Sequence, residues 1–162
     1  MKKITLFLGL LLLTVSLSAQ AKLSRKGTFE TSLGGGLALK PPTRFDLQAG
    51  AQYYLMDELS VGVDTDILFR GRTAYDFTGI ARYHVDINEI PELVPYFGTG
   101  AGASVNSNGN GLMDIVLPDF GLDYELADNL LVGFDASAHL LTNFDSNTWD
   151  FRILPVRLTY RF

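Results

Sequence analysis

From Gly27 to Phe162 the apolar residues recur at every second position, in runs of roughly ten to thirteen residues punctuated by Gly, Pro, Asn and Asp. A two-residue period is the mark of a strand whose faces differ in chemistry, and no window carries the ~3.6-residue period of an amphipathic helix. The alternation predicts about eight strands, over Thr28–Leu39, Arg44–Leu55, Leu59–Arg70, Tyr75–Asp86, Val94–Val105, Met113–Glu125, Leu130–Leu141 and Thr148–Phe162. Parity slips in two of them, across Pro118 in the sixth and across Leu154-Pro155 in the eighth. Proline donates no ladder hydrogen bond and sits in sheets mainly at edges or bulges. A β-bulge at each site restores order on both sides; the alternative is that these strands begin after their prolines.

Alternation alone does not say which face points inward, because a soluble sandwich hides the apolar set and wets the other. The polar set here mixes charges with glycines at Gly34, Gly36, Gly50, Gly62, Gly98, Gly100, Gly102, Gly121 and Gly133. On a solvated face these would only weaken strands. Inside a narrow barrel they make room for long side chains crossing the lumen. Aromatic residues gather at both ends of the apolar set: Phe29, Tyr53, Tyr83, Tyr124, Tyr160 and Phe162 at one end, Phe45, Phe69, Tyr75, Phe77, Trp149 and Phe151 at the other. Two girdles flanking an aliphatic band are what two membrane interfaces select. The expected fold is all-β, a closed up-and-down antiparallel transmembrane β-barrel of about eight strands.

The first residues supply an address. Lys2 and Lys3 precede an apolar run from Ile4 to Leu13, followed by Ser16, Leu17, Ser18 and Ala19-Gln20-Ala21. This reads as a secretory signal peptide over residues 1–21, cleaved after Ala21, since the run falls short of the ~20 residues that cross a bilayer as a helix. Residues 22–162 then form one barrel domain, and with the amino terminus delivered from the periplasm the short connections at Met56-Asp57-Glu58, Asn88–Leu93 and Ala127-Asp128-Asn129 are periplasmic turns. The other side carries Lys40–Thr43, Gly71–Ala74, Asn106–Gly111 and Thr142–Asn147 as outer loops.

Formal net charge is −5 for the whole chain, and because Lys2 and Lys3 are the only charges in residues 1–21 it becomes −7 after cleavage. An acidic chain is a poor match for a phosphate backbone, so nucleic acid is excluded as a partner. Cysteine is absent, which excludes disulfides, thiolate metal sites and thiol nucleophiles. No metal cluster or nucleotide motif appears, and no cofactor is expected. Gly98-Thr99-Gly100-Ala101-Gly102 lies within a strand without a following helix; residues 106–111 read as a polar loop.

The inward charges are the most informative constellation. An unpaired buried ion costs several kcal/mol, so partners are expected. Asp64 and Arg82 fall at similar heights on strands three and four, Asp135 and Arg157 do so on seven and eight, and Glu30 and Arg161 face each other across the closing seam. Such a network is either an ion gate or proton path, or a polar plug that fixes register and fills the lumen. Eight strands leave an interior that side chains fill, which favours the plug.

The pattern resembles the eight-stranded outer-membrane barrel families of the OmpA transmembrane-domain and OmpX type. Two segments carry the resemblance: Leu158-Thr159-Tyr160-Arg161-Phe162, alternating to a terminal Phe, and Val94-Pro95-Tyr96-Phe97-Gly98-Thr99-Gly100-Ala101-Gly102. It implies a protein of the Gram-negative outer membrane in contact with lipid and lipopolysaccharide. It also implies periplasmic chaperones and the barrel-assembly machinery as partners in biogenesis, with Tyr160 and Phe162 as the assembly signal. The outer loops are much shorter than those of adhesive members. The implied role is structural or interactive at the cell envelope; a small pore for ions or solutes is the alternative, and a lipid A-modifying enzyme the third. For the enzyme, Asp135, Ser137 and His139 form one inward column. Residues two apart on a strand lie ~6.6 Å apart along it, so a direct Ser137–His139 hydrogen bond is expected to be strained. Lipid A deacylases place a Ser two positions after the His, where this chain has Leu141. No catalytic role is expected.

Overall fold

The computed structural model describes residues 24–69, 73–107, 109 and 111–162; the leader read over residues 1–21 lies outside them. Eight antiparallel strands follow in chain order: β1 Phe29–Ala38, β2 Arg44–Tyr54, β3 Leu59–Phe69, β4 Ala74–His84, β5 Leu93–Asn106, β6 Gly111–Ala127, β7 Leu130–Thr142 and β8 Asn147–Arg161. Each pairs with its sequence neighbours, and β1 pairs with β8 to close the barrel. Glu30 stands opposite Arg161 and Leu33 opposite Leu158 in that seam. Closure removes the free edges that an open sheet would expose.

The inward face is the polar one. In β2, Asp46, Gln48, Gln52 and Tyr54 are buried, while Phe45 and Tyr53 are 52% and 46% exposed. The same division holds in β4, where Asp76, Thr78, Arg82 and His84 point inward and Tyr75, Phe77 and Tyr83 outward. The outer surface carries Leu33, Val63, Phe97, Phe120, Phe151, Val156 and Leu158 exposed around the barrel. The clustered hydrophobic core is small: Ala38, Leu68 and Ala74. An apolar belt outside and charges inside is the surface of a membrane-spanning barrel. No helix among the described residues is long and apolar enough to cross a membrane.

Both parity slips are bulges. Strand β6 runs through Pro118 and β8 through Pro155. Gly98 pairs with Asp119 and Gly100 with Val116, so Leu117 and Pro118 together oppose Thr99. Thr99 Oγ1 donates to the Val116 carbonyl at 2.9 Å, satisfying a group at the irregularity. On the seam, Gly35 pairs with Val156 and Leu37 with Ile153, which sets Leu154 and Pro155 against Gly36. The extra residue returns Asp119 and Arg157 to the lumen and Phe120 and Val156 to the outer surface. A further register shift between Glu125 and Ala127 has no proline to announce it. Strand β6 is accordingly longer at both ends than the alternation predicts.

Candidate functional site

Five buried guanidinium groups organise the lumen in layers, from the mouth beside the β2–β3 turn to the opposite one. Arg161 on β8 meets Glu30 on β1 (Nε to Oε1, 2.8 Å) and Glu125 on β6 (Nη1 to Oε1, 2.9 Å). Glu30 also accepts from Gln52 Nε2 at 2.6 Å. Beside them His84 Nε2 lies 2.9 Å from Ser60 Oγ, and its ring packs against Tyr54 and Tyr96. Beneath this layer Arg25, from the segment before β1, is buried with its guanidinium 5.7 Å from the centre of the Tyr54 ring and bonded to Asp86. It fills the mouth on the side of the β2–β3 turn with a side chain that no strand carries.

The middle layer holds two more. Arg82 reaches Asp64 (Nη2 to Oδ2, 2.6 Å) and Asp119 (Nε to Oδ2, 2.7 Å). Arg157 contacts Asp123 at 2.8 Å and Asp135 at 3.2 Å. Tyr96 lies between the two cations, its ring centre 5.2 Å from Arg82 and 4.8 Å from Arg157, and its hydroxyl donates to Asp135. An aromatic face between guanidiniums offsets their mutual repulsion. Gly121 makes this possible, because a Cβ there would lie 2.2 Å from the Tyr96 hydroxyl oxygen.

Arg152 on β8 heads the outer layer, at 3.1 Å from Asp66 and bonded to Asp76. Asp114 is 4.0 Å away and Asp150 3.8 Å. Asp150 is shared with Arg44 at the outer mouth, at 2.6 Å. Above lies a vestibule of about 260 Å³ lined by Lys40, Pro41, Pro42, Arg44, Thr73, Ala74 and Asn106.

Each residue of the inward charge network read from sequence, Glu30, Asp64, Arg82, Asp135, Arg157 and Arg161, is buried in this lumen, and the structure joins Asp64 to Arg82, Asp135 to Arg157 and Glu30 to Arg161. Tyr160 and Phe162 face outward, their rings 4.8 Å apart, with Phe29 6.1 Å from Phe162. Arg25, Tyr96, Asp119 and Arg152 were not singled out by sequence reasoning. For Arg152 and Asp119 a signal existed, their inward parity once the bulges are counted. For Arg25 there was none, since it precedes the first alternating run.

The expected strain between Ser137 and His139 is corrected by the geometry: Ser137 Oγ is 3.0 Å from His139 Nε2. Inward side chains lean along the strand, so the imidazole closes a gap that backbone spacing alone leaves open. The acid of this relay is Asp114 on β6, which accepts from His139 Nδ1 at 2.9 Å; Asp135 is held instead by Tyr96 and Arg157. The connectivity is that of an acid, imidazole and hydroxyl relay. All three residues are buried, and Ser137 and His139 line a void with about 10 Å³ of space for the centre of a water-sized sphere. No acyl chain enters such a space. Among the described residues no group of His, Asp and Glu converges into a metal centre.

No family model matches the chain, and no curated protein matches it by sequence. Solved structures do. Neisserial surface protein A superposes with a TM-score of 0.66 at 13% identity, covering 83% of this chain and 96% of that one. The outer membrane protein OprG of Pseudomonas aeruginosa gives 0.63 at 11% identity, covering 88% and 99%. The N-terminal β-barrel domain of Pseudomonas aeruginosa OprF gives 0.62 at 16%, covering 86% and 100%. Identities this low carry architecture and not activity. The chain has the fold of the eight-stranded outer-membrane β-barrels.

Proposed function

We propose that this chain is an integral protein of the Gram-negative outer membrane with a closed lumen, and that its role at the envelope is structural or interactive, neither conductive nor enzymatic. The observation that carries this reading is the bridging of the lumen between strands that share no ladder: Arg82 ties β4 to Asp119 on β6, and Arg152 ties β8 to Asp66 on β3. A permeating ion would have to separate both of these desolvated ion pairs. In planar bilayers the expected result is no stable conductance; reproducible unitary steps overturn the closed lumen in favour of a small pore.

Lipid and lipopolysaccharide are the partners of the apolar belt and its two girdles. Fractionation with heat-modifiable gel migration tests the location, and recovery of the chain as a soluble periplasmic protein refutes it. Tyr160 and Phe162 end the strand offered to the barrel-assembly machinery. Phe162→Ala is expected to lower the amount reaching the outer membrane while leaving the refolded barrel's stability within about 1 kcal/mol, since one exposed ring of a girdle is removed. The Ser137–His139–Asp114 relay supports a structural role because of the water-sized space beside it, so His139→Ala is expected to leave the lipid A mass spectrum unchanged.

A further inference from the structure

The two ends of the barrel differ in charge. The turns at one end, residues 55–58, 85–92 and 128–129, hold Asp57, Glu58, Asp86, Glu89, Glu92 and Asp128 and no cation. Even with Lys22, Arg25 and Lys26 of the segment before β1 counted there, that end stays acidic. The connections at the other end, residues 39–43, 70–73, 107–110 and 143–146, hold Lys40, Arg70 and Arg72 against one acid, Asp145, and Arg44 opens β2 beside them. In a chain of formal net charge −5, the end away from the β2–β3 turn is therefore the one that attracts anions.

The vestibule of about 260 Å³ at this end gives that charge a shape. Its wall holds two cations, Lys40 and Arg44, and no carboxylate. Asp150 beneath is fully buried, and its two oxygens accept from the Lys40 amide at 3.1 Å and from Arg44 Nη2 at 2.6 Å. Asp46, Asp66, Asp76 and Asp114 are fully buried as well and do not line the space. Among the described residues this leaves the Lys40 ammonium without a partner and Arg44 with Nε and Nη1 open. The bond to Asp150 fixes the guanidinium at the wall, so little ordering of that side chain opposes binding. A guanidinium fork and an ammonium on one cavity are the donor set of a phosphate group. The space exceeds a bare oxyanion and falls just below the ~300 Å³ at which pockets for drug-sized ligands begin. Pro41, Pro42 and Ala74 give it apolar wall, and Thr73 and Asn106 give it polar edges for hydroxyl groups. We propose that this vestibule binds a phosphate monoester on a body of monosaccharide size, the phosphate on Lys40 and Arg44 and the body against the two prolines. The site lies at the mouth and is bound from outside, so a conductance that overturned the closed lumen would leave it standing. A solute ester and the phosphorylated sugar of a lipid headgroup share this chemistry, and the test separates them.

The test follows backbone amide resonances of the refolded barrel in uncharged detergent, at constant pH and ionic strength, during titration with glucose 1-phosphate or with glucose. Saturable shifts at Lys40, Arg44, Thr73 and Asn106 are expected with the ester and not with glucose, and the affinity is expected to fall as ionic strength rises. Lys40→Gln removes an ammonium that bonds no described residue, so it is expected to fold and to bind the ester about tenfold more weakly, the lower end for a hydrogen bond to a charged group. If it fails to fold, the comparison of ester with glucose on the unaltered chain decides the matter. The source is read in nanodiscs of phosphatidylcholine with and without lipid A, whose sugars carry phosphate. The same shifts on adding lipid A assign the bound phosphate to the leaflet; shifts with the free ester alone assign it to a solute, and either outcome upholds the site. No saturable shift at these amides with either the ester or lipid A overturns the proposal. So do equal shifts with glucose, and so does undiminished ester binding by Lys40→Gln.

Discussion

Arg82 Nε lies 2.7 Å from Asp119 Oδ2, a contact made across the lumen between β4 and β6, which pair with β5 and not with each other. The same guanidinium holds Asp64 on β3, so one side chain braces three strands. Arg82→Met, which keeps bulk and removes charge, strands two buried carboxylates and is expected to cost about 3–5 kcal/mol, read by urea unfolding in detergent. Asp64→Arg is expected to destabilise as well. Adding Arg82→Asp recovers only some of the loss, because Asp119 then faces a like charge; a coupling of about 0.5–3 kcal/mol is expected within one network. A double variant no better than either single one refutes the pairing.

The two bulges make a prediction about exchange. Residues 114–116 and 150–153 lie in paired ladder above Pro118 and Pro155, so their amides are expected to be protected like the rest of β6 and β8, by hydrogen exchange with NMR readout. Loop-like exchange there would mean that the strands start after their prolines.

Two glycines of opposite setting separate packing from backbone freedom. A Cβ at Gly121 would lie 2.2 Å from Tyr96 Oη and 2.4 Å from the Phe134 carbonyl, whereas at Gly79 the nearest atom is 3.7 Å away. Gly121→Ala is therefore expected to cost about 1–3 kcal/mol through overpacking. Gly79→Ala is expected to be neutral or to stabilise by up to about 1 kcal/mol through a less flexible unfolded chain. Equal effects in denaturant titrations would show that the lumen yields around Tyr96.

The segment that carries Arg25 is tethered by Asp57 in the β2–β3 turn. Ser24 Oγ donates to its carboxylate at 2.7 Å and the Lys26 amide at 2.9 Å, and these bonds hold the carboxyl below its usual value. A lowered folded pKa means that the tether is fully present above the ~3.9 of a free aspartate and is lost as pH falls through the lower folded value. The Lys26 amide resonance is expected to titrate with a midpoint below ~3.9, and Asp57→Asn to abolish that titration. A midpoint at or above the free value would detach the segment from the turn.

What the sequence by itself determined is the strand pattern and the chemistry of its two faces, because period two is a local property of the extended chain. The alternation of Phe45, Leu47 and Ala49 with Asp46, Gln48 and Gly50 assigned both faces of β2 without knowledge of any partner strand, and the prolines at 118 and 155 marked the two places where parity is reset. Neighbouring pairs were legible too, since Glu30 and Arg161 sit at the ends of strands that closure must bring together. Contacts across the lumen were not. Arg82 to Asp119, Arg152 to Asp76, and His139 to Asp114 instead of Asp135 depend on strand tilt, stagger and barrel width, which are set jointly by all eight ladders. Arg25 depends on less than that: it carries no periodicity, and only the fold of the chain beneath the barrel brings its guanidinium to Tyr54 and Asp86.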